Sequence, residues 1–264
     1  MLTTDITQTM AYGRSDIEFR TPRHIRECAL PHLGAVDRML VRGMALAASR
    51  HIVSIHGLQH IHPAHDPFIL AINHSCMRES LLVPSLLFLN RGGKLIHFLA
   101  DWNYRVWPGV GTLYRRAGVV TVLRKPARPR ALNFLKALYR NFPAPRIDAR
   151  AHLMDGRSIG IFPEGQINRD PDRMLRGRYG AARLSLEVGV PVVPMGIRFT
   201  EAGPGQATRS TPAMELFIGA PIVPERPIRE QASVTDVRAW HATIMAEIAR
   251  LSGKMWTEGA SRGR

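Results

Sequence analysis

"PFILAINHSCMRES", residues 67–80, decides how this chain is to be read. Pro67 to Ile72 form a short, wholly apolar run, the length and character of a strand buried on both faces. Asn73-His74 interrupts it, and from Ser75 onward the mixture of small, polar and apolar residues suits the start of a helix. Strand, turn and helix in that order open an α/β unit, and the turn after such a strand is where open sheets place their chemistry.

The same alternation continues outward. Upstream, "IVSIHGL" reads as a half-exposed strand. Downstream, "SLLVPSLLFL" is helical, although Pro84 asks for an early-turn position or a kink. "KLIHFLA" and "VVTVL" read as strands on either side of a short helical segment, "WPGVGTLYRRAG". "RALNFLKALYRNF" is an amphipathic helix and "SIGIF" a buried strand. "YGAARLSLEVG" is a helix closed by Gly189, "VPVVPMGIRF" and "MELFIGAPI" are strands, and "VTDVRAWHATIMAEIARLSG" is a final helix stopped by Gly253.

The expectation is a single α/β domain over residues 51–264, with a mixed, mainly parallel central sheet flanked by helices. Residues 1–50 precede it: a polar, loosely ordered arm to about residue 30, then an amphipathic helix in "LGAVDRMLVRGMALAASR" (33–50). Val36, Leu40, Met44 and Ala47 lie on one side of that helix, Arg38 and Arg42 on another. Burial in a lipid interface and packing on the protein's own core are equally good placements for it.

Composition narrows the class. Lys and Arg total 36 against 21 Asp and Glu, a net charge of +15, which favours polyanionic partners: nucleic acid or an anionic membrane surface. Aromatic residues make up only 7%, and no RNP, KH or zinc-finger pattern occurs, so a nucleic-acid-binding protein is the weaker alternative and no nucleic-acid partner is expected. Only Cys28 and Cys76 are present, which points to a reducing compartment rather than a disulfide framework. The N-terminus lacks the apolar run of a secretory signal, and no stretch reaches the roughly 18 apolar residues of a spanning helix. Membrane contact is therefore expected to be peripheral or monotopic.

His74 and Glu79 stand five positions apart. On one helix they would point about 140° apart, but a histidine in the turn and an acid in the helix's first turn can meet. An acid there is favoured by the helix dipole. Placed so, Glu79 would accept Nδ1–H of His74 and leave Nε2 free as a base. Other readings stay open on these residues alone. "HIVSIHGLQHIHPAH" supplies His51, His56, His60, His62 and His65, but without HExxH spacing or paired cysteines a zinc site is not expected. Cys76 follows His74 closely, yet reads as packing at the helix start. A hydrogen-bonded structural histidine remains the plainest alternative.

Further stretches carry their own signals. "GVVTVLR" ends a buried strand on Arg124, where a guanidinium can hold a phosphate bidentately. "IFPEGQ" puts Glu164 at a strand end, with Gly165 permitting close backbone approach. "GVPVVPMGI" brackets a strand with Pro191 and Pro194.

Taken in order, Asn73-His74 with Glu79, Gly118 to Arg124, Phe162-Pro163-Glu164-Gly165 and Val190 to Pro194 resemble the motifs of the glycerolipid acyltransferases, above all the 1-acylglycerol-3-phosphate (lysophosphatidate) acyltransferase family. The similarity runs from about "SIHGLQHI" to "FIGAPIVP". The resemblance implies His74 as general base, Glu79 as the acid that orients it, Arg124 at the phosphate of the acceptor, and Glu164 and Gly165 shaping the acceptor site. It implies no metal and no cofactor beyond a co-substrate, acyl-CoA or acyl-carrier protein, and a lysophospholipid acceptor at the cytoplasmic face of a membrane. A family member that binds lipid without catalysis is the alternative.

The chain departs from that pattern twice. Glutamate stands where aspartate is commonest, and Gln166-Ile167-Asn168 replaces the usual Thr-Arg-Ser after FPEG. The second departure removes a cation beside the acceptor, and Arg169 is the candidate to replace it.

Overall fold

The computed structural model describes residues 21–103, 109–122, 145–199, 213–225 and 232–259. In chain order these form α1 (Pro22–Glu27), α2 (Ala35–Ala48), β1 (Ile52–His56), β2 (Ile69–Ile72), α3 (Glu79–Asn90), β3 (His97–Asp101), α4 (Val110–Arg116) and β4 (Val120–Val122). They continue with α5 (Pro145–Met154), β5 (Ile159–Ile161), α6 (Gly180–Val188), β6 (Val192–Phe199), β7 (Met214–Ile218) and α7 (Val234–Ser252). The expected helix over 130–142 lies outside the described residues, as does Arg124.

The strands make one seven-stranded sheet in the order β1-β7-β6-β2-β5-β3-β4. Every pairing is parallel except β6 with β7, the mixed, mainly parallel sheet that strand–helix alternation predicts. β2 sits near its centre, between β6 and β5. Its residues alternate between two cores, as the two-residue period of a strand requires. Leu70 and Ile72 face α2 and α3, with Ala45, Val83, Leu86 and Leu87. Ile69 and Ala71 face the other layer, with Leu153 of α5, Leu184 of α6 and Ile244 and Ile248 of α7. Burial on both faces is why the run reads as unbroken apolar sequence.

Three local expectations change. The arm before residue 30 contains α1, started by Thr21, whose Oγ1 accepts from the His24 N–H at 3.2 Å, and by Pro22, whose missing N–H costs nothing there. Ile25 anchors that helix in the core. On α2 the buried stripe is Ala45 and Ala48 with half-buried Val41 and Met44, whereas Val36 and Met39 are 49% and 67% exposed. The stripe thus runs about one residue to the side of the expected face. Finally, α5 has no counterpart in the sequence reading, because its polar composition hides the buried positions Ala149 and Leu153. Pro84 lies in the interior of α3, neither in the first turn nor at its end.

α7 crosses β6 so closely that Gly196 is obligatory. A Cβ there would lie 2.3 Å from backbone atoms of Leu251 and Ser252. Gly189 and Gly253 close α6 and α7 in the left-handed conformation, at φ +77° and +71°.

Candidate active site

The C-terminal end of β2 is tied down before the histidine appears. Asn73 is fully buried, and its side chain forms a two-way clamp on Ile197 of β6: Oδ1 accepts the Ile197 N–H at 2.7 Å and Nδ2 donates to Ile197 O at 3.1 Å. The polar residue after the apolar run thus substitutes a side-chain pair for ladder hydrogen bonds as the strand ends.

His74 then sits in the turn, and Glu79 is the first residue of α3, the placement that their spacing predicts. Nδ1 of His74 lies 2.5 Å from Glu79 Oε1, and the Ser75 N–H reaches the same oxygen at 2.7 Å. Ser75 is a donor there, so the oxygen is an acceptor and Nδ1 carries the proton toward it. Neutral His74 therefore presents its lone pair at Nε2, which meets no hydrogen-bond partner among the described residues. Glu79 is completely buried, while the imidazole keeps 15% exposure, as a base with access to a substrate must.

The backbone of His74 is held as firmly as its ring. Its N–H donates to Glu164 Oε1 at 3.0 Å, and its carbonyl accepts from the Asn168 N–H at 2.7 Å. Glu164 Oε2 takes the Leu175 N–H at 2.9 Å and Asn168 Nδ2 at 2.8 Å. The expected strand-end acid is thus a buried brace for the turn and for the loop after it. Burial pushes its carboxyl above the usual range, against the pull of these bonds and of the Lys254 ammonium. Gly165 closes the tight turn at φ +69°, with its N–H on Phe162 O at 2.9 Å. A Cβ there would strike Arg178 at 2.4 Å from Nε, so the glycine makes room for an arginine laid across it.

Phe162 lies against the histidine, with ring centroids 4.5 Å apart and planes tilted by 32°, and also borders an apolar cavity. Leu40 and Met44 of α2, Leu81 and Phe88 of α3, Phe98 of β3 and Tyr114 of α4 contribute to its walls. Cys76 is buried beside the dyad, and its thiol is pushed up to about 11 by burial and by the Glu79 carboxylate, so it is no nucleophile near neutral pH.

Among the other candidates, Arg169 is exposed on the loop after Asn168, with no described hydrogen bond. His56 stacks on Phe217 at 4.7 Å, and no group of three potential metal ligands converges among the described residues. Sequence reasoning named Asn73 and Phe162 as motif residues without giving either a role, and it missed Arg178 and Lys254. The pattern of a polar residue closing a buried strand was available for Asn73. For Arg178 and Lys254 nothing local signals the contact.

The site lies where open α/β sheets place their ligands, at the C-terminal end of a central strand, with an apolar cavity beside it. The chain belongs to the Acyltransferase family, whose model matches residues 52–198. Among solved structures it is similar to the 1-acyl-sn-glycerophosphate (LPA) acyltransferase PlsC of Thermotoga maritima, with a TM-score of 0.54 and 19% identity over 82% of this chain and 81% of that one. No curated protein sequence matches the chain. Family and fold together meet the resemblance to glycerolipid acyltransferases that the ordered motifs carry.

Proposed function

We propose that this acyltransferase moves a fatty acyl group from an acyl thioester, acyl-CoA or acyl-carrier protein, to the hydroxyl of a lysophospholipid, with 1-acylglycerol-3-phosphate as acceptor and phosphatidate as product. One observation carries the reading: Nδ1 of His74 is held by buried Glu79 at 2.5 Å while Nε2 remains unengaged, and the ring lies against Phe162, which borders an apolar cavity.

The chemistry follows from that geometry. Nε2 takes the proton of the acceptor hydroxyl as its oxygen attacks the thioester carbonyl carbon. The C–O bond forms, the C–S bond breaks, and the departing thiolate recovers the proton from Nε2–H. General-base assistance of this kind contributes roughly 10²- to 10⁴-fold. Glu79 favours the imidazolium that exists between the two proton transfers, and Glu164 keeps the turn in register. The acyl tail occupies the cavity, where apolar burial contributes about 0.8 kcal/mol per methylene.

Cations for the acceptor phosphate are available at Arg178, laid over Gly165, and at Arg169. Arg124 is proposed for the same task on the strength of the motif alone. No helix among the described residues is long and apolar enough to cross a membrane. The exposed Val36 and Met39 of α2, with Arg38 between them and a chain carrying +15, suit peripheral contact with anionic lipid.

The test is thiol release from acyl-CoA and acyl-carrier protein against a panel of lysolipids, with mass spectrometry of the products. Phosphatidate formed from lysophosphatidate, in preference to lysolipids lacking a phosphomonoester, is the expected result. Thioester cleavage without any acylated lipid would overturn the reading.

A further inference from the structure

The end of α7 brings into the site a residue that belongs to none of the motifs. Gly253 turns the chain inward, and Lys254 follows with only 7% exposure. Its Nζ donates to Ser75 Oγ at 3.0 Å and to the carbonyl oxygen of Asp170 at 2.6 Å. Ser75 is fully buried, and its N–H lies on Glu79 Oε1, the oxygen that holds His74 Nδ1. Asp170 stands two residues beyond Asn168, whose N–H holds the His74 carbonyl. The ammonium therefore joins the side chain of Ser75, in the turn that carries the histidine, to the backbone of the loop that holds its carbonyl.

Lys254 is itself well anchored. Met255 N–H donates to Asp172 O at 2.7 Å, and Met174 N–H donates to Met255 O at 2.9 Å. Upstream, Arg198 Nε of β6 donates to Leu251 O at 2.9 Å. An ammonium buried this deeply is costly unless anions face it. Four carboxylates favour the ammonium from beyond ion-pair distance: Glu164 after β5, Glu79 on α3, and Asp170 and Asp172 on the loop. Burial still pushes Lys254 below the ordinary lysine range and Glu164 above the carboxylate range, so each supports the charged form of the other.

We propose, resting on the transferase reading above, that Lys254 is a positioning residue of the reaction: its ammonium ties the His74–Ser75 turn to the 168–172 loop and so holds the imidazole on Glu79. It touches no reacting atom and acts through Ser75 and Asp170.

The experiment compares wild type, Lys254→Met, Ser75→Ala and the double variant, each assayed well below its Tm. Three readouts are needed: kcat and KM for thiol release, the pH profile of kcat, and the downfield proton resonance of His74 Nδ1–H, assigned by its loss in His74→Ala. Lys254→Met is expected to lower kcat roughly 10- to 100-fold with KM little changed, the penalty of a slightly misplaced base. The resonance should broaden or vanish. With its facing cation gone, Glu164 takes up a proton at higher pH, so the acid limb of the profile moves upward. Ser75→Ala should lose less, and the double variant no more than Lys254→Met alone, because the two act along one path.

Both variants retaining kcat within about twofold, with the resonance intact, would overturn the proposal, as would losses that multiply in the double variant. If Lys254→Met does not fold, the resonance and kcat of Ser75→Ala decide in the same two directions. A wild type that turns over no acyl thioester, yet loses the resonance in Lys254→Met, defeats the transferase reading and supports the positioning role.

Discussion

The backbone N–H of Asn168 donates to the carbonyl oxygen of His74 at 2.7 Å. The loop after the FPEG turn is thereby fastened to the main chain of the proposed base, and a shift in one becomes a shift in the other. The departure from the family pattern at Gln166-Ile167-Asn168 is thus coupled through the main chain to the proposed base.

Removing the base tests the mechanism most directly. His74→Ala should lower kcat for thiol release about 10²- to 10⁴-fold while the far-UV circular dichroism spectrum is unchanged. The two backbone bonds of residue 74 survive the substitution, so the turn is expected to persist.

Glu79 separates charge from shape. Glu79→Gln keeps the side-chain length but removes the anion that favours the imidazolium, and should cost about 100-fold in kcat. Glu79→Asp keeps the anion but is one methylene short of the 2.5 Å contact. Its loss should be smaller, about 10-fold, since the helix end can shift to restore reach. The same assay ranks the two.

Cys76 offers a pH-dependent check. Its thiol is raised from 9.0 to about 11 in the fold. A group whose pKa is higher when folded contributes stability in full below its unfolded value, and that contribution is lost as pH rises through the folded value. Wild-type Tm should therefore fall between about pH 9 and 11 more steeply than that of Cys76→Ala. Turnover near neutral pH should persist in the variant, whereas its abolition would indicate a covalent thioester on Cys76.

Narrowing the cavity should alter donor choice and leave the chemistry alone. Met44→Trp adds bulk to the α2 wall. Long-chain donors should lose roughly 10-fold in kcat/KM relative to short-chain ones, the size of effect that a few methylenes produce in an apolar pocket. Competition between two acyl-CoA chain lengths measures the ratio.

Gly196→Ala tests the crossing of α7 over β6. A methyl placed 2.3 Å from helix backbone cannot be accommodated by rotating a side chain. A loss of about 1–3 kcal/mol in chemical denaturation is expected.

Much of the fold is legible in the sequence because buried parallel strands are uniform apolar runs, as in Ile69–Ile72 and Val192 onward. The His74–Glu79 contact is legible as well, since both partners are set by one strand–turn–helix junction. α5 is not, because its polar composition outweighs two buried positions. Lys254 is illegible for a different reason: it meets Ser75 across 179 residues, through the packing of α7 on β6, and a lone lysine carries no periodicity. Glu164 falls between these cases. Its strand-end position is evident in FPEG, but its engagement by two backbone N–H groups and the Asn168 amide depends on how the loop after it folds back.

The stretch matched by the family, residues 52–198, holds the dyad and its brace, yet part of the cavity wall lies before it on α2 and Lys254 lies after it. The groups proposed for the chemistry and those of the cavity wall thus lie on different stretches of the chain, joined through one core. On the proposed reading, an exchange of α2 between homologues would alter acyl-chain preference and leave His74 and Glu79 in place, whereas an excised central fragment would lack both part of the cavity wall and Lys254.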